Sequence, residues 1–415
     1  MTDSPTAAAS TPNAVFSTGF FRDPDFDFEA RTALGNAAQG FFDVGLVLAT
    51  IARVKDGDAD SWYVAWRAAA DALHAEAEAS ATAGHQQAAA RFFLGAADAY
   101  SRSIGFSDAM TDQTLFAPVF ALHRAAFDAF VDASGAAAQR VAVPYENTTL
   151  PGYLFRPDDS GAPRPTLVLT NGSDGSISSL WAAGASTAVA RGWNAFLYDG
   201  PGQQTMLFDH GVPFRPDWEA VLTPVVDTLA ARTDVDATRL LAYGISQAGY
   251  WLPRALAFEK RFVAAVADPG VMDVSTSWTA HLPTAMIDLL TSGDSADFNG
   301  GMQQASADPK LAATLAFRRR PYGMSTDFDT YTAVLGYNLR DVVQQISTPL
   351  LITSPDDEQF WPGQSQQLFD ALPGEKVLAR FTREQGANFH CQPLGRQLTE
   401  ARMFGFFDEQ LGRAG

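Results

Sequence analysis

Three residues far apart in this chain have the types and the order of an activated serine: Ser246, a carboxylate near residue 357, and His390. A serine hydroxyl is a weak nucleophile and needs a base, and the base needs a carboxylate to orient it. Ser246 lies in Gly244-Ile-Ser-Gln-Ala-Gly249, after the apolar run Leu240–Ala242 and before a segment of helical spacing, Tyr250–Phe258. That reads as strand, sharp turn, helix, with the serine at the apex. Such an elbow crowds its neighbours, so small residues are needed two before and two after the serine. Gly244 and Ala248 supply them; glycine is usual at the second position, and here it follows one residue later as Gly249.

On an elbow of this kind the chain order is serine, acid, histidine. Of the six histidines only His281 and His390 follow Ser246. His390 alone follows the last long strand, in Gly386-Ala-Asn-Phe-His-Cys391. The acid is expected after the strand Pro349–Thr353, where Ser354–Pro362 offers Asp356, Asp357 and Glu358. Placing the acid a few residues before Pro362 favours Asp357, with Asp356 second. A tetrahedral oxyanion needs two aimed donors. One is the backbone N–H of Gln247, and the other is that of Ser173 or Gly172 in the loop Asn171–Gly175. Asp174 in that loop reads either as the N-cap of the next helix or as a pocket carboxylate that holds or protonates substrate. Cys391, on the base's loop and not on an elbow, reads as a small packed residue. No metal-ligand spacing and no dinucleotide fingerprint is present, so no cofactor is expected. The triplet Arg318-Arg319-Arg320 could bind a substrate carboxylate, although such a run more often faces water.

The elements that must carry these residues alternate. Val141–Tyr145, Gly152–Phe155, Thr166–Thr170, Trp193–Tyr198, Leu240–Ala242, Phe262–Ala267, Pro349–Thr353 and Lys376–Phe381 read as strands. Segments 178–191, 217–232 and 394–411 read as helices between or after them. Strand alternating with helix means an α/β fold with a mostly parallel sheet covered on both faces. Its ligand site lies beyond the carboxyl ends of the strands. Residues 275–345 interrupt the alternation and read as a helical lid. Before the sheet, residues 14–135 have helical character: Trp62, Trp66, Ala69 and Leu73 fall on one face of a helix. Residues 1–13 read as a disordered leader, which leaves 136–415 for the α/β domain.

The 415 residues are 47% hydrophobic and 18% charged, enough apolar chain for a large core. The net charge of −18 disfavours nucleic acid and anionic membrane surfaces as partners. One cysteine permits no disulfide within the chain, which suits the cytoplasm. No signal peptide is legible at the N-terminus, and no apolar run approaches the roughly 18 residues of a membrane span.

With the elbow, acid loop and late histidine in place, the chain resembles the α/β-hydrolase superfamily. Within it, the sequence is similar to the group of 2,6-dihydroxypseudooxynicotine hydrolase and the fungal polyketide-shortening hydrolases of pigment synthesis. Asn171–Gly175, Tyr198-Asp-Gly-Pro-Gly-Gln203, Gly244–Gly249 and Asp357-Glu358 carry the resemblance, together with the helical segment that precedes the core. It implies a triad of Ser246, Asp357 and His390, an acidic oxyanion-loop residue at Asp174, and a helical domain that caps the site and helps form a homodimer. It also implies a small-molecule substrate. The reaction expected is cleavage of a carbon–carbon bond next to a ketone, in an aromatic or polyketide-like compound. Carboxylesterase, lactonase or acyltransferase chemistry on a similar substrate is the alternative; a binding protein or a peptidase ranks below these.

Overall fold

The computed structural model describes residues 18–414; the expected leader lies outside them. Five helices come first: α1 Pro24–Ala38, α2 Val44–Ile51, α3 Ala59–Thr82, α4 Gln86–Ser103 and α5 Phe116–Ala133. Capping starts α1 and α3, since the Asp23 side chain accepts from the N–H groups of Asp25 and Phe26, and Asp58 from that of Ser61. The Trp62–Trp66 face of α3 is fully buried, and the Trp62 indole donates to the Arg102 carbonyl at 2.8 Å. Helix α5, taken with the turn before it (Gln113–Ala133), is long and apolar enough by composition to cross a membrane. In this fold its Phe120, Phe127 and Phe130 are buried in the core of the domain.

Eight strands follow: β1 Ala138–Tyr145, β2 Thr148–Phe155, β3 Arg164–Thr170, β4 Asn194–Tyr198, β5 Val235–Ile245, β6 Phe262–Asp268, β7 Leu350–Pro355 and β8 Lys376–Phe381. Their order in the sheet is β1-β2-β4-β3-β5-β6-β7-β8. The β1–β2 and β2–β4 pairs are antiparallel and the rest parallel. Helices α6 Ser186–Ala190, α7 Gln204–Phe208, α8 Glu219–Ala230 and α9 Ala248–Leu256 connect β3 to β6. Helices α10 Thr276–Thr279, α11 Thr284–Ser292, α12 Ser295–Ala305, α13 Pro309–Arg319 and α14 Asp327–Val334 form the insertion between β6 and β7. Helix α15 Gln364–Ala371 and the C-terminal α16 Arg396–Ala414 complete the domain.

The segment after β3 departs from the expected continuous helix over 178–191. A π-type turn occupies Trp181–Ala185, Gly184 takes φ 145°, and only Ser186–Ala190 is α-helical. A Cβ at Gly184 would stand 3.0 Å from Met403 Cε, so this stretch bends against α16.

Each face of the sheet has its own core. One joins the N-terminal helices to Leu167, Leu169, Tyr243 and the aromatic face of α16. The other joins α8, α9 and α15 to the insertion, through Trp218, Trp251, Trp278, Phe298 and Tyr331. The two added modules are also linked to each other, by the Lys310–Asp23 ion pair at 2.6 Å and by Arg320–Asp108. The carboxyl edge of the sheet therefore lies between them.

Candidate active site

Strand β5 ends at Ile245, and Ser246 turns the chain into α9 with φ 58°, the left-handed region that a residue with a side chain rarely adopts. Two contacts hold it there. The Ser246 N–H donates to the Asp268 carbonyl at 2.6 Å, and the Gly249 N–H to the Ser246 carbonyl at 2.8 Å. Position 249 must be glycine because a Cβ there would stand 1.8 Å from the Pro269 carbonyl oxygen. The close backbone approach thus falls at Gly249, and Ala248 is accommodated, fully buried, at the usual glycine position.

Ser246 Oγ is 3.0 Å from His390 Nε2. The other ring nitrogen, Nδ1, lies 2.9 Å from both carboxylate oxygens of Glu358. The expected acid, Asp357, does not reach the imidazole. Its carboxylate accepts from Arg383 at 2.8 and 2.9 Å and from the Asn388 amide. Asp356 is exposed. The correction follows from backbone pairing. Asp357 forms an isolated parallel bridge with Phe389, its N–H donating to the Asn388 carbonyl at 2.8 Å. Extended side chains alternate in direction, so with residue 357 turned toward Arg383, residue 358 points to the imidazole. Glu358 is further fixed by the N–H groups of Phe360 and Trp361, at 3.0 and 3.2 Å.

Burial lowers the basicity of His390, but the Glu358 carboxylate outweighs it, aided by Asp268 and Asp174, and the imidazole pKa lies above its ordinary value. The ring is packed among Phe360, Trp361 and Phe28, with centroids at 4.7, 5.8 and 6.2 Å. Phe28 comes from α1, so the N-terminal helices reach the His390 ring directly. The aromatic residues the sequence drew attention to in that domain, Trp62 and Trp66, are instead fully buried core.

Of the three candidate oxyanion donors, the Gly172 N–H is already bound to Asn171 Oδ1 at 2.9 Å. Among the described residues, the N–H groups of Gln247 and Ser173 have no protein acceptor. Gly172 has another role: a Cβ there would stand 2.7 Å from Ser246 Cβ, so only glycine lets this loop pass the serine. Gln203 clamps the loop, donating to the Asn171 and Gly172 carbonyls at 2.7 and 2.9 Å. Asp174 does not cap the following helix. Its carboxylate accepts from Ser173 Oγ at 3.2 Å at an exposed position of the loop.

Two functional-looking groups were missed by sequence reasoning. Glu29 of α1 binds Arg102 at 3.1 Å, yet burial, with the nearby Asp174 charge, pushes its carboxyl up to about 7. Nothing local in the α1 sequence signals this. Asp268, the last residue of β6, carries no local sequence signal of a role. It is wholly buried and accepts from Tyr243 at 2.7 Å, Thr353 at 2.5 Å, Gln392 at 2.9 Å and Arg396 at 3.2 Å. It thereby ties β5, β6 and β7 to the histidine loop and α16. Cys391 donates its thiol to the Asp268 carbonyl, and burial raises its pKa well above normal, so it stays protonated. A cavity of about 510 Å³ opens elsewhere, between Phe116, Phe120 and Arg124 of α5, Phe208 and Arg320, and none of Ser246, Glu358 and His390 lines it.

Known proteins resemble this chain over nearly its whole length. Hydrolase LUC6 of a Fusarium species is 30% identical over 405 residues, 93% of this chain and 96% of the relative. The 20-hydroxy-prefusarin hydrolase FUS2 of Gibberella moniliformis is 30% identical over 369 residues, 84% of each chain. The crystal structure of 2,6-dihydroxy-pseudo-oxynicotine hydrolase superposes with a TM-score of 0.71 at 17% identity, covering 90% of this chain and 95% of that one. No family model matches the sequence.

Proposed function

The chain belongs to the α/β-hydrolase superfamily and is a hydrolase, and from that premise we propose that it works through a covalent Ser246–His390–Glu358 mechanism on a small ketone-bearing substrate. The observation that carries the proposal is the unbroken relay from Ser246 Oγ through the imidazole to a buried carboxylate, at 3.0 and 2.9 Å. His390 Nε2 takes the hydroxyl proton as Oγ bonds to the substrate carbonyl carbon. The N–H groups of Gln247 and Ser173 receive the oxyanion. Collapse restores the carbonyl and breaks its bond to the leaving group. A carbanion leaving group takes the proton from imidazolium, directly or through Asp174, which imidazolium then reprotonates; an alkoxide takes it from imidazolium. Water, deprotonated by His390, then releases the acid and returns the proton to Ser246.

Cleavage next to a ketone is favoured by the resemblance to 2,6-dihydroxypseudooxynicotine hydrolase, and an aromatic or polyketide-like substrate by Phe28, Phe360 and Trp361 around the base. Asp174, near enough to His390 for their charges to interact, supports a proton route to carbon. The test is fluorophosphonate labelling read by intact mass, followed by turnover of aryl esters and β-diketones. One adduct on the wild type and none on Ser246→Ala is expected, with β-diketone cleavage faster than ester cleavage. A folded wild type that stays unlabelled refutes the serine; ester turnover alone refutes the carbon–carbon assignment.

A further inference from the structure

The triplet at the end of α13 divides its three guanidinium groups unequally. Arg319 pairs with Asp327 at 3.1 Å, and Arg320 with Asp108. Arg318 has no carboxylate partner among the described residues. Its Nη2 donates to the Ser277 carbonyl and hydroxyl, both at 3.2 Å, which leaves the Nε and Nη1 hydrogens without acceptors among the described residues. The group lies over the Trp278 ring at 4.3 Å. Burial lowers the Arg318 pKa, and only the Tyr322 and Tyr331 hydroxyls act against that effect. A partly buried guanidinium without a carboxylate partner keeps donor capacity for an anionic ligand.

Its neighbours add donors. The Tyr322 hydroxyl and the Gln247 side-chain Nε2 are both buried, and beyond their mutual contact and the Trp278 indole neither meets a hydrogen-bond partner among the described residues. They face each other, and Tyr322 feels the Arg318 charge. Gln247 follows the nucleophile directly in sequence, so this donor set extends from the elbow to the lid. Phe214, Trp278 and Tyr337 pack around Tyr322, with centroids at 5.2, 5.3 and 5.4 Å.

We infer that Arg318, Tyr322 and the Gln247 amide form a subsite for a carboxylate on the substrate, an assignment that rests on Ser246 being the nucleophile beside it. A planar carboxylate can take two of the free guanidinium hydrogens while also accepting from Tyr322 or Gln247. The substrate class narrows accordingly, to an acid whose reacting carbonyl lies a short chain away from its carboxylate.

The experiment uses 4-nitrophenyl half-esters of dicarboxylic acids, succinic to suberic, each against its neutral acyl ester of equal length. For the wild type, kcat/KM is expected to favour one half-ester length over its neutral match. In Arg318→Gln and Arg318→Met that preference ratio should fall on the order of 10- to 100-fold, through KM, and Arg318→Lys should keep part of it. Binding of the same half-ester to Ser246→Ala, by calorimetry, separates the two readings. Tight binding that Arg318→Gln abolishes, with no labelling of the wild-type serine, would sink the nucleophile and leave the subsite standing. A wild type indifferent to the carboxylate at every length, or a ratio unmoved in folded Arg318 variants, overturns the subsite.

Discussion

Replacing Glu358 by Gln tests the most consequential assignment, because the neighbouring Asp357 was the acid expected from sequence. Both Glu358 oxygens lie 2.9 Å from His390 Nδ1, and the Glu358 and His390 side chains are 5% and 4% exposed. An amide preserves the shape but loses the charge that balances imidazolium, and it presents N–H where an acceptor is needed. Removing the charge from a buried triad carboxylate lowers turnover by on the order of 10³–10⁴, about 4–5 kcal/mol in the barrier. The Asp357 side chain is 34% exposed and its ion pair with Arg383 is at the surface. Asp357→Asn should therefore cost less than about tenfold in kcat/KM, and on the order of 1 kcal/mol in stability. The assay is steady-state turnover of an activated ester across pH, with melting curves to show that both variants fold. An inactive Asp357→Asn beside an active Glu358→Gln would refute the geometry and restore Asp357.

Further outcomes are expected. His390 must be neutral to accept the serine proton, and its folded pKa is raised, so the acid limb of kcat/KM should lie above 6.5, the ordinary histidine value. Glu358→Gln should move that limb down; an unmoved limb in active variant enzyme would argue that another group titrates. By linkage, a raised folded pKa favours the folded state below the unfolded value and loses that contribution as pH rises through the folded one. Gly172→Ala places a Cβ 2.7 Å from Ser246 Cβ and 3.1 Å from Oγ, so turnover should drop at least about 100-fold with the fold retained, measured by kinetics and circular dichroism. Arg396→Met leaves the Asp268 carboxylate short of its cation and should cost about 3–5 kcal/mol in urea unfolding.

What could be read from sequence was what neighbours in the chain decide. The apolar run into Gly244-Ile-Ser placed the elbow, and chain order left two of six histidines, of which only His390 follows the last strand. The choice between Asp357 and Glu358 was not legible, because it depends on a bridge to Phe389, a partner over thirty residues later. Proline spacing fixed the loop but not which of two adjacent carboxylates turns inward. Strand β5 begins at Val235, five residues earlier than its apolar run indicates, since Asp236, Thr238 and Arg239 are polar yet extended. The roles of Phe28 and Glu29 were hidden for the same reason: they act across more than 140 residues, and only the packing of α1 over the sheet edge reveals them.

The Asp268 node gives the order of synthesis a chemical meaning. Ser246 and His390 are 144 residues apart. At 5–20 residues per second the ribosome needs roughly 7–30 s to travel from one to the other. Throughout that interval Ser246 lacks its contact with His390. The histidine loop is then moored through Gln392 and Arg396, the second of which opens the final helix. Phe28, by contrast, is made first and must wait for the imidazole it packs against. On the proposed mechanism, Ser246 thus gains its base only once the segment that carries His390 has joined the sheet.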